Sequence, residues 1–555
     1  MRFESLVREA YLAGTRDQGL LLIKNRLENR VTYCEYDKAI MGPIKDKLGV
    51  EQGGQNSDRF YRLVGNFQLN SAQLSNLGVN LCEGSNTCDI PNTPSDVPNN
   101  TACDGINISA IGQADDSCLI STSIHSLQNL VNLTLEFCKR YHIELVPEKT
   151  KLMAFYPASQ SINVYYQKLI SNIHINNTKI QFTDDAEHVG IIRNISGNLP
   201  HLLGRFSAHS RAVRAVLPAG LARGHSGNPA AGLRIEKIYG APVLLSGLSS
   251  LVLSSSEIES LNVHYKASLE GLMRLHQKTP APVVFFLAGS LPAPALLHIN
   301  MFSLLNMIIR LENNPLNMLA RHCLSASPLP RHSWFTHIQN LCIKYSLPSA
   351  LSLLSFPPSK IQLKTLVKKK VIDFWEQKLR HDAAGLSSLA FFKPSFYSLS
   401  TPHPIWNTAG SSPYEAKKAK IQARMLSGRY RTGRLMRYWS DNTNGFCLLP
   451  SCHQEIDDLP HILLHCPSLQ EARDRVMHLW QDHLLAKQEI LHICRTYLAA
   501  SDNEKVQFLL DPSVLPEIIA LTQDHGYEVL KTVFYITRTY CFSIHKSRLK
   551  LLGIS

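Results

Sequence analysis

Apolar and polar positions change period several times along this chain. Leu20-Leu21-Leu22-Ile23 lies in an apolar helical run, whereas Val31-Thr32-Tyr33-Cys34-Glu35-Tyr36 alternates as a half-buried strand does. A turn at Gly42-Pro43 leads into residues 48–54, and a helical pattern covers 58–69. Residues 83–105, rich in Asn, Pro, Ser, Asp and Cys, read as a loop. Apolar residues at 108–111 and Leu119-Ile120 then flank Asp115-Asp116, which predicts strand, tight turn, strand, with the carboxylates at the turn. Ser123 is positioned to cap a helix running to Arg140, with Ile124, Leu127, Val131, Thr134 and Cys138 on one face. Ile143 and Leu145 alternate as a short strand, and a second strand pair follows near Ile180-Phe182 and Val189-Ile191-Ile192.

From about residue 200 to 385 the pattern is mostly helical, with Pro- and Ser-rich breaks at 325–332 and 346–359. Residues 386–412 have the composition of a linker, and the remainder is basic and largely helical. The stretch 279–309 lacks Lys, Arg, Asp and Glu. Pro280, Pro282, Pro292 and Pro294 interrupt it, so a buried helical hairpin is expected rather than a membrane span. No internal repeat and no secretory leader pattern is visible.

Composition narrows the class. The 555 residues suffice for roughly three or four domains of about 150 residues. With 44% apolar and 18% charged residues the chain can bury sizeable cores, which excludes a disordered protein. A net charge of +13 favours a polyanionic partner, and an anionic membrane surface would also fit. The 13 cysteines are odd in number and follow no disulfide framework, which fits an intracellular, reducing compartment, nucleus or cytoplasm, with free thiols and one metal cluster.

One ordered set of short motifs carries the functional reading. Gly49-Val50-Glu51-Gln52-Gly53-Gly54 comes first, then Ala114-Asp115-Asp116 between apolar flanks. A helical stretch follows, then Glu148-Lys149-Thr150-Lys151, then His188-Val189-Gly190. In order and spacing this resembles the reverse transcriptase domain of non-long-terminal-repeat (LINE-type) retrotransposons, over roughly residues 5–195.

The resemblance implies an α+β fold: a partial polymerase palm (antiparallel sheet plus helices) over 1–198, a helical thumb-like region over 199–385, a linker over 386–412, and a basic helical domain over 413–555. It implies RNA-directed DNA polymerase chemistry on an RNA template, a DNA primer or target and deoxynucleotides. Two Mg²⁺ ions would stabilise the attacking and leaving oxygens of the transfer. Asp115 would be the direct ligand and Asp116 the supporting one. Lys149 would protonate the leaving pyrophosphate, and Gln52, Gly53, Gly54 and Ser57 would shape the nucleotide pocket.

The departures from the family are specific. Gln113 stands where an aromatic residue is usual, and the 83–105 loop is long. The third metal-binding aspartate, expected in an Asp-x-x-Lys-Ala-Phe context, has only a superficial match at Tyr36-Asp37-Lys38-Ala39-Ile40, 12 residues before Gly49. The expectation is therefore a truncated polymerase, active only if that carboxylate is supplied. The alternative is a catalytically dead element product that only binds RNA or DNA.

The C-terminal part adds two features. Cys447, Cys452, His461 and Cys466 have the spacing C-x4-C-x8-H-x4-C, suited to tetrahedral Zn²⁺, with His453 and His465 as substitute ligands. Family members often end in a similar cluster, normally with C-x2-C at the first pair. Free cysteines in a helical domain are the competing reading. Upstream, Lys417, Lys418, Lys420, Arg424, Arg429, Arg431, Arg434 and Arg437 alternate with Tyr430, Tyr438 and Trp439, a stripe that would neutralise phosphates and stack on bases. A solvated helix face is its competing reading. Lys364, Lys368, Lys369 and Lys370 form a second basic cluster, with the solvated face equally favoured there.

Overall fold

The computed structural model describes residues 3–28, 31–36, 39–45, 57–81, 106–113, 116–155, 172–216, 227–311, 314–326, 329, 333–437, 444–452, 455–484, 488–525 and 527–554. The chain is α+β with helix dominant, 66% against 8% strand. It divides into two compact units, residues 1–201 with 308–336, and residues 202–307 with 337–555.

The first unit is built on the helix Ile124–Tyr141. Ser123 caps it, its hydroxyl accepting from the Ser126 N–H at 3.1 Å. His142, in the left-handed conformation at φ 53°, ends it. Ile143 was expected to begin a strand. Instead its N–H closes the helix by donating to the Cys138 carbonyl at 2.9 Å, and its side chain packs against the adjacent core with Leu145. One stretch of the helix, Phe137, Cys138 and Tyr141, joins Leu6 and Leu27. Val131 joins Leu152, Ile173, Ile175 and Ile180 in a second cluster. The Tyr141 hydroxyl donates to Glu9 at 2.7 Å, which ties the first cluster to the helix Phe3–Leu12.

The strands expected on either side of Asp115 pair with each other, Asp116 opens the second of them, and Ala114 and Asp115 lie outside the described residues. Ala110–Gln113 pairs antiparallel with Asp116–Leu119, closing on Gln113 opposite Asp116. It rests on the helix Ser57–Leu74 through Gly112, where an added Cβ would lie 3.3 Å from the Leu69 methyls. His188 to Ile191 form the turn of another hairpin, with Val189 and Gly190 both at positive φ, 54° and 73°.

The expected antiparallel pairing is present as small sheets: among the described residues the strands form six separate pairs, one of which, Lys151–Leu152 with Gln181–Phe182, is parallel. The strands are short, most of two to four residues, so no wide ladder forms among the described residues.

In the second unit, the apolar stretch forms the helices Ala281–Ala288 and Ala293–Ile308, which meet at a bend of 60°. No single described helix is long and apolar enough to cross a membrane. Val283 to Leu287 are at most 1% exposed, which places them at the centre of this core.

Residues 386–412 are packed, which corrects the expectation of a linker. Leu389, Phe392, Tyr397, Leu399 and Ile405 are buried there, and Trp406 is fully buried. The Leu287 carbonyl accepts from both the His403 N–H (3.1 Å) and the Trp406 indole N–H (2.9 Å), satisfying a helix-end acceptor that water cannot reach. Gly289 (φ 60°) permits this approach, because a Cβ there would sit 2.0 Å from the Thr401 carbonyl carbon. The composition of a linker here hides a strap whose apolar residues belong to the core. Trp406→Ala should therefore cost about 3–5 kcal/mol. Phe396→Ala, at a 56% exposed position, should stay within about 0.5 kcal/mol. Melting midpoints of the two variants check this, and equal midpoints would contradict it.

Candidate metal centre and basic surface

The four residues of the Cys/His motif come together in the second unit. A short antiparallel ribbon brings the first two into place. The Cys447 N–H donates to the Glu455 carbonyl and the Asp457 N–H to the Gly445 carbonyl, with Phe446 opposite Ile456. The turn between them is closed by the Cys452 N–H on the Leu449 carbonyl at 3.0 Å. The x4 spacing is accommodated by this turn.

Asp458 then starts a helical turn, its carboxylate accepting from the His461 N–H at 3.0 Å. His461–His465 is a wide turn in which the Cys466 N–H bonds the His461 carbonyl, i to i+5, at 2.8 Å. At 100° per residue, an α-helix would set residues five apart about 140° away from each other. The wider turn brings His461 and Cys466 back to one side.

All four residues are buried, and their ligand atoms lie within 4.8 Å of one another. Cys447 Sγ is 3.9 Å from Cys466 Sγ, and Cys452 Sγ is 3.1 Å from His461 Nε2. Tetrahedral zinc with usual bond lengths spaces two sulfurs about 3.8 Å apart and sulfur from nitrogen about 3.5 Å apart. The donor set therefore fits Zn²⁺, and its soft thiolates do not suit Mg²⁺. Burial, reinforced by the neighbouring sulfurs, pushes the Cys447 thiol up to about 12, and burial also raises Cys452. Burial lowers the affinity of His461 for a proton. A dication replaces the thiol protons and removes the cost of gathering these groups. Of the two substitute ligands, His465 turns away to bond Asp502 at 2.7 Å, and His453 lies outside the described residues.

The basic stripe divides. Lys418 is buried against Glu415 (2.7 Å) and the Thr539 hydroxyl (3.0 Å). Lys420 is buried on the Gly227 carbonyl (2.9 Å), and burial beside Arg274 and Arg424 brings its ammonium down to about 8. Arg424 donates to the Arg274 carbonyl at 2.7 Å. Tyr430 is buried, its hydroxyl on His545, so it cannot stack on a base. Lys417, Arg431, Arg434 and Arg437 are exposed, and Arg429 is half-buried. Tyr438 and Trp439 lie outside the described residues. Lys364, Lys368 and Lys369 are exposed and Lys370 is half-buried on the helix Lys360–Ala384.

Of the residues tied to nucleotidyl transfer, Asp116 is exposed at the start of its strand, and Lys149 is exposed in the turn Pro147–Lys149. Ser57 opens its helix. Asp115, Gln52, Gly53, Gly54 and Asp37 lie outside the described residues. Among the described residues the Cys/His group is the one cluster with metal-binding geometry.

Sequence reasoning missed Arg274, His276 and Lys278, which the fold brings to Arg424, Arg429 and Arg431 from about 150 residues away. It also missed Asp457, which accepts from the Gly433 N–H at 2.5 Å and from Arg548 at 2.7 Å. The adjacent acids Asp457-Asp458 inside the Cys/His span were the visible signal for the second.

No family model matches this chain, and no curated protein shows significant similarity to it.

Purified protein should carry one zinc per chain by elemental analysis. Cys466→Ser should reduce that content and lower the melting midpoint by several degrees, to the level of chelator-treated native protein. Substoichiometric zinc in the native protein contradicts the assignment.

Proposed function

We propose that this chain is a nucleic-acid-binding protein whose second unit is organised by a Cys447–Cys452–His461–Cys466 zinc centre. The observation that carries this reading is the adjacency of the buried Cys/His cluster to exposed cations on one short stretch of chain. Arg434 bonds the Asp457 carbonyl through its N–H at 3.1 Å and faces Asp458 at 3.6 Å, so the cationic segment leans on the metal-ligand loop. The +13 net charge supplies a long-range attraction for polyanions. Zinc here has a structural role: four protein ligands fill its coordination sphere and leave no open position for a substrate.

A second reading rests on the Ala110–Leu119 hairpin and the motif order around it. It makes the first unit a reverse-transcriptase-like fragment that would use two Mg²⁺ ions at Asp115 and Asp116. A lone hairpin with two carboxylates is short of the three that the two-metal chemistry uses in the family it resembles.

Two measurements separate these readings. Native protein should bind labelled single-stranded RNA or DNA with an affinity that falls steeply as salt rises, and a salt-independent or absent signal would sink the first reading. Primer extension with Mg²⁺ should stay at the level of Asp115→Ala. Extension that this substitution abolishes would establish polymerase activity instead.

A further inference from the structure

Two segments distant in sequence build one cationic surface in the second unit. The first is the turn after the helix Ser255–Met273, with Arg274, His276 and Lys278. The second is the end of the helix Pro413–Leu426 and the chain beyond it, with Arg424, Arg429 and Arg431. The Arg424 guanidinium donates to the Arg274 carbonyl at 2.7 Å and joins them. Burial and the nearby charges of Arg429, Arg431, Lys278 and Arg424 lower the proton affinity of His276.

Two helix C-termini meet here, and their partial negative charge accounts for a cation or two, Arg274 and Arg424. It does not account for Lys278 and Arg431, both exposed, or for Arg429, whose Nε is buried with no partner. Like charges held together cost free energy unless a polyanion offsets them. The predominance of arginine suits bidentate contact with phosphate.

The second segment is held by the Cys/His loop. Asp457, 3% exposed, takes the Gly433 N–H and the Arg548 guanidinium on one carboxylate oxygen. Arg548 also donates to the Arg431 carbonyl at 2.8 Å. Gly433 lies so close that an added Cβ would be 2.9 Å from both the Asp457 Cβ and the Phe446 carbonyl oxygen. Asp457 itself sits between the ribbon that holds Cys447 and the turn that holds His461.

We infer that Arg274, Lys278, Arg424, Arg429 and Arg431 form a binding surface for the phosphate backbone of RNA, and that metal at the Cys/His centre keeps this surface assembled through Asp457. The inference rests on the nucleic-acid-binding reading above and gives it a location and a control. An anionic membrane is the competing occupant, because Leu448 and Ile456 are 75% and 53% exposed on the adjoining loop.

The test is anisotropy of a labelled single-stranded RNA across about 50–200 mM salt, with folding checked by thermal melting and zinc by elemental analysis. Lys278→Glu combined with Arg431→Glu should weaken binding at least about tenfold and flatten the log–log salt slope by roughly 1.5–2. Chelation of native protein should weaken binding several-fold. Gly433→Val should do the same while retaining one zinc per chain, and chelating that variant should add little further loss.

If native protein binds RNA but the charge reversals change neither affinity nor slope, this surface is wrong and the general reading stands. If native protein does not bind RNA, both fall. Native affinity after chelation, or in Gly433→Val, overturns the metal link. Tighter binding to phosphatidylserine vesicles than to RNA overturns the choice of partner.

Discussion

The convergence of three thiols and one imidazole in a buried space 4.8 Å across governs the C-terminal architecture. Each group loses its hydration there, and burial favours the neutral thiol at Cys447 and Cys452. A divalent ion would turn that crowding into four bonds. The local backbone follows from this constraint: a tight turn between Cys447 and Cys452, and a widened helical turn between His461 and Cys466. The loop in turn depends on the long helix Tyr527–Leu551. Tyr540 donates to the Leu463 carbonyl at 2.7 Å, and Arg548 bridges Asp457 and the Arg431 carbonyl.

Charge inside this unit has two different uses. Lys418, Arg538 and Glu415 form a buried network, with Arg538 2.7 Å from Glu415 and bonded to Thr408, so these cations hold helices together. Breaking one partner of such a network leaves an uncompensated buried charge, which costs more than a surface ion pair contributes. Lys278 and Arg431, by contrast, are exposed. A single basic stretch of sequence therefore contains both buried structural cations and exposed ones.

Much of the local structure was legible in the sequence because it depends on neighbours a few residues away. The Ser123 cap, the helix it starts, the strand pair on either side of Asp115 and the α+β class all rest on short-range pattern. The Cys/His spacing was legible for the same reason: a turn and one helical turn suffice to gather four ligands. What the sequence hid depends on partners far along the chain. Lys418 and Lys420 look like a solvated face until Thr539 and Gly227 are seen beside them. Residues 386–412 look like a linker until Leu287 is seen to accept from Trp406. Ile143 and Leu145 alternate as a strand would, yet the left-handed residue His142 makes them the hydrophobic closure of a helix. The antiparallel sheet expected from a resemblance is present, among the described residues, as separate two-stranded pairs.

If metal at the Cys/His centre keeps the cationic segment in place, amide hydrogen exchange of the native protein should quicken on chelation at both 444–466 and 429–437, with 281–288 and 124–141 unchanged. Exchange that quickens at 444–466 while 429–437 keeps its protection would contradict it.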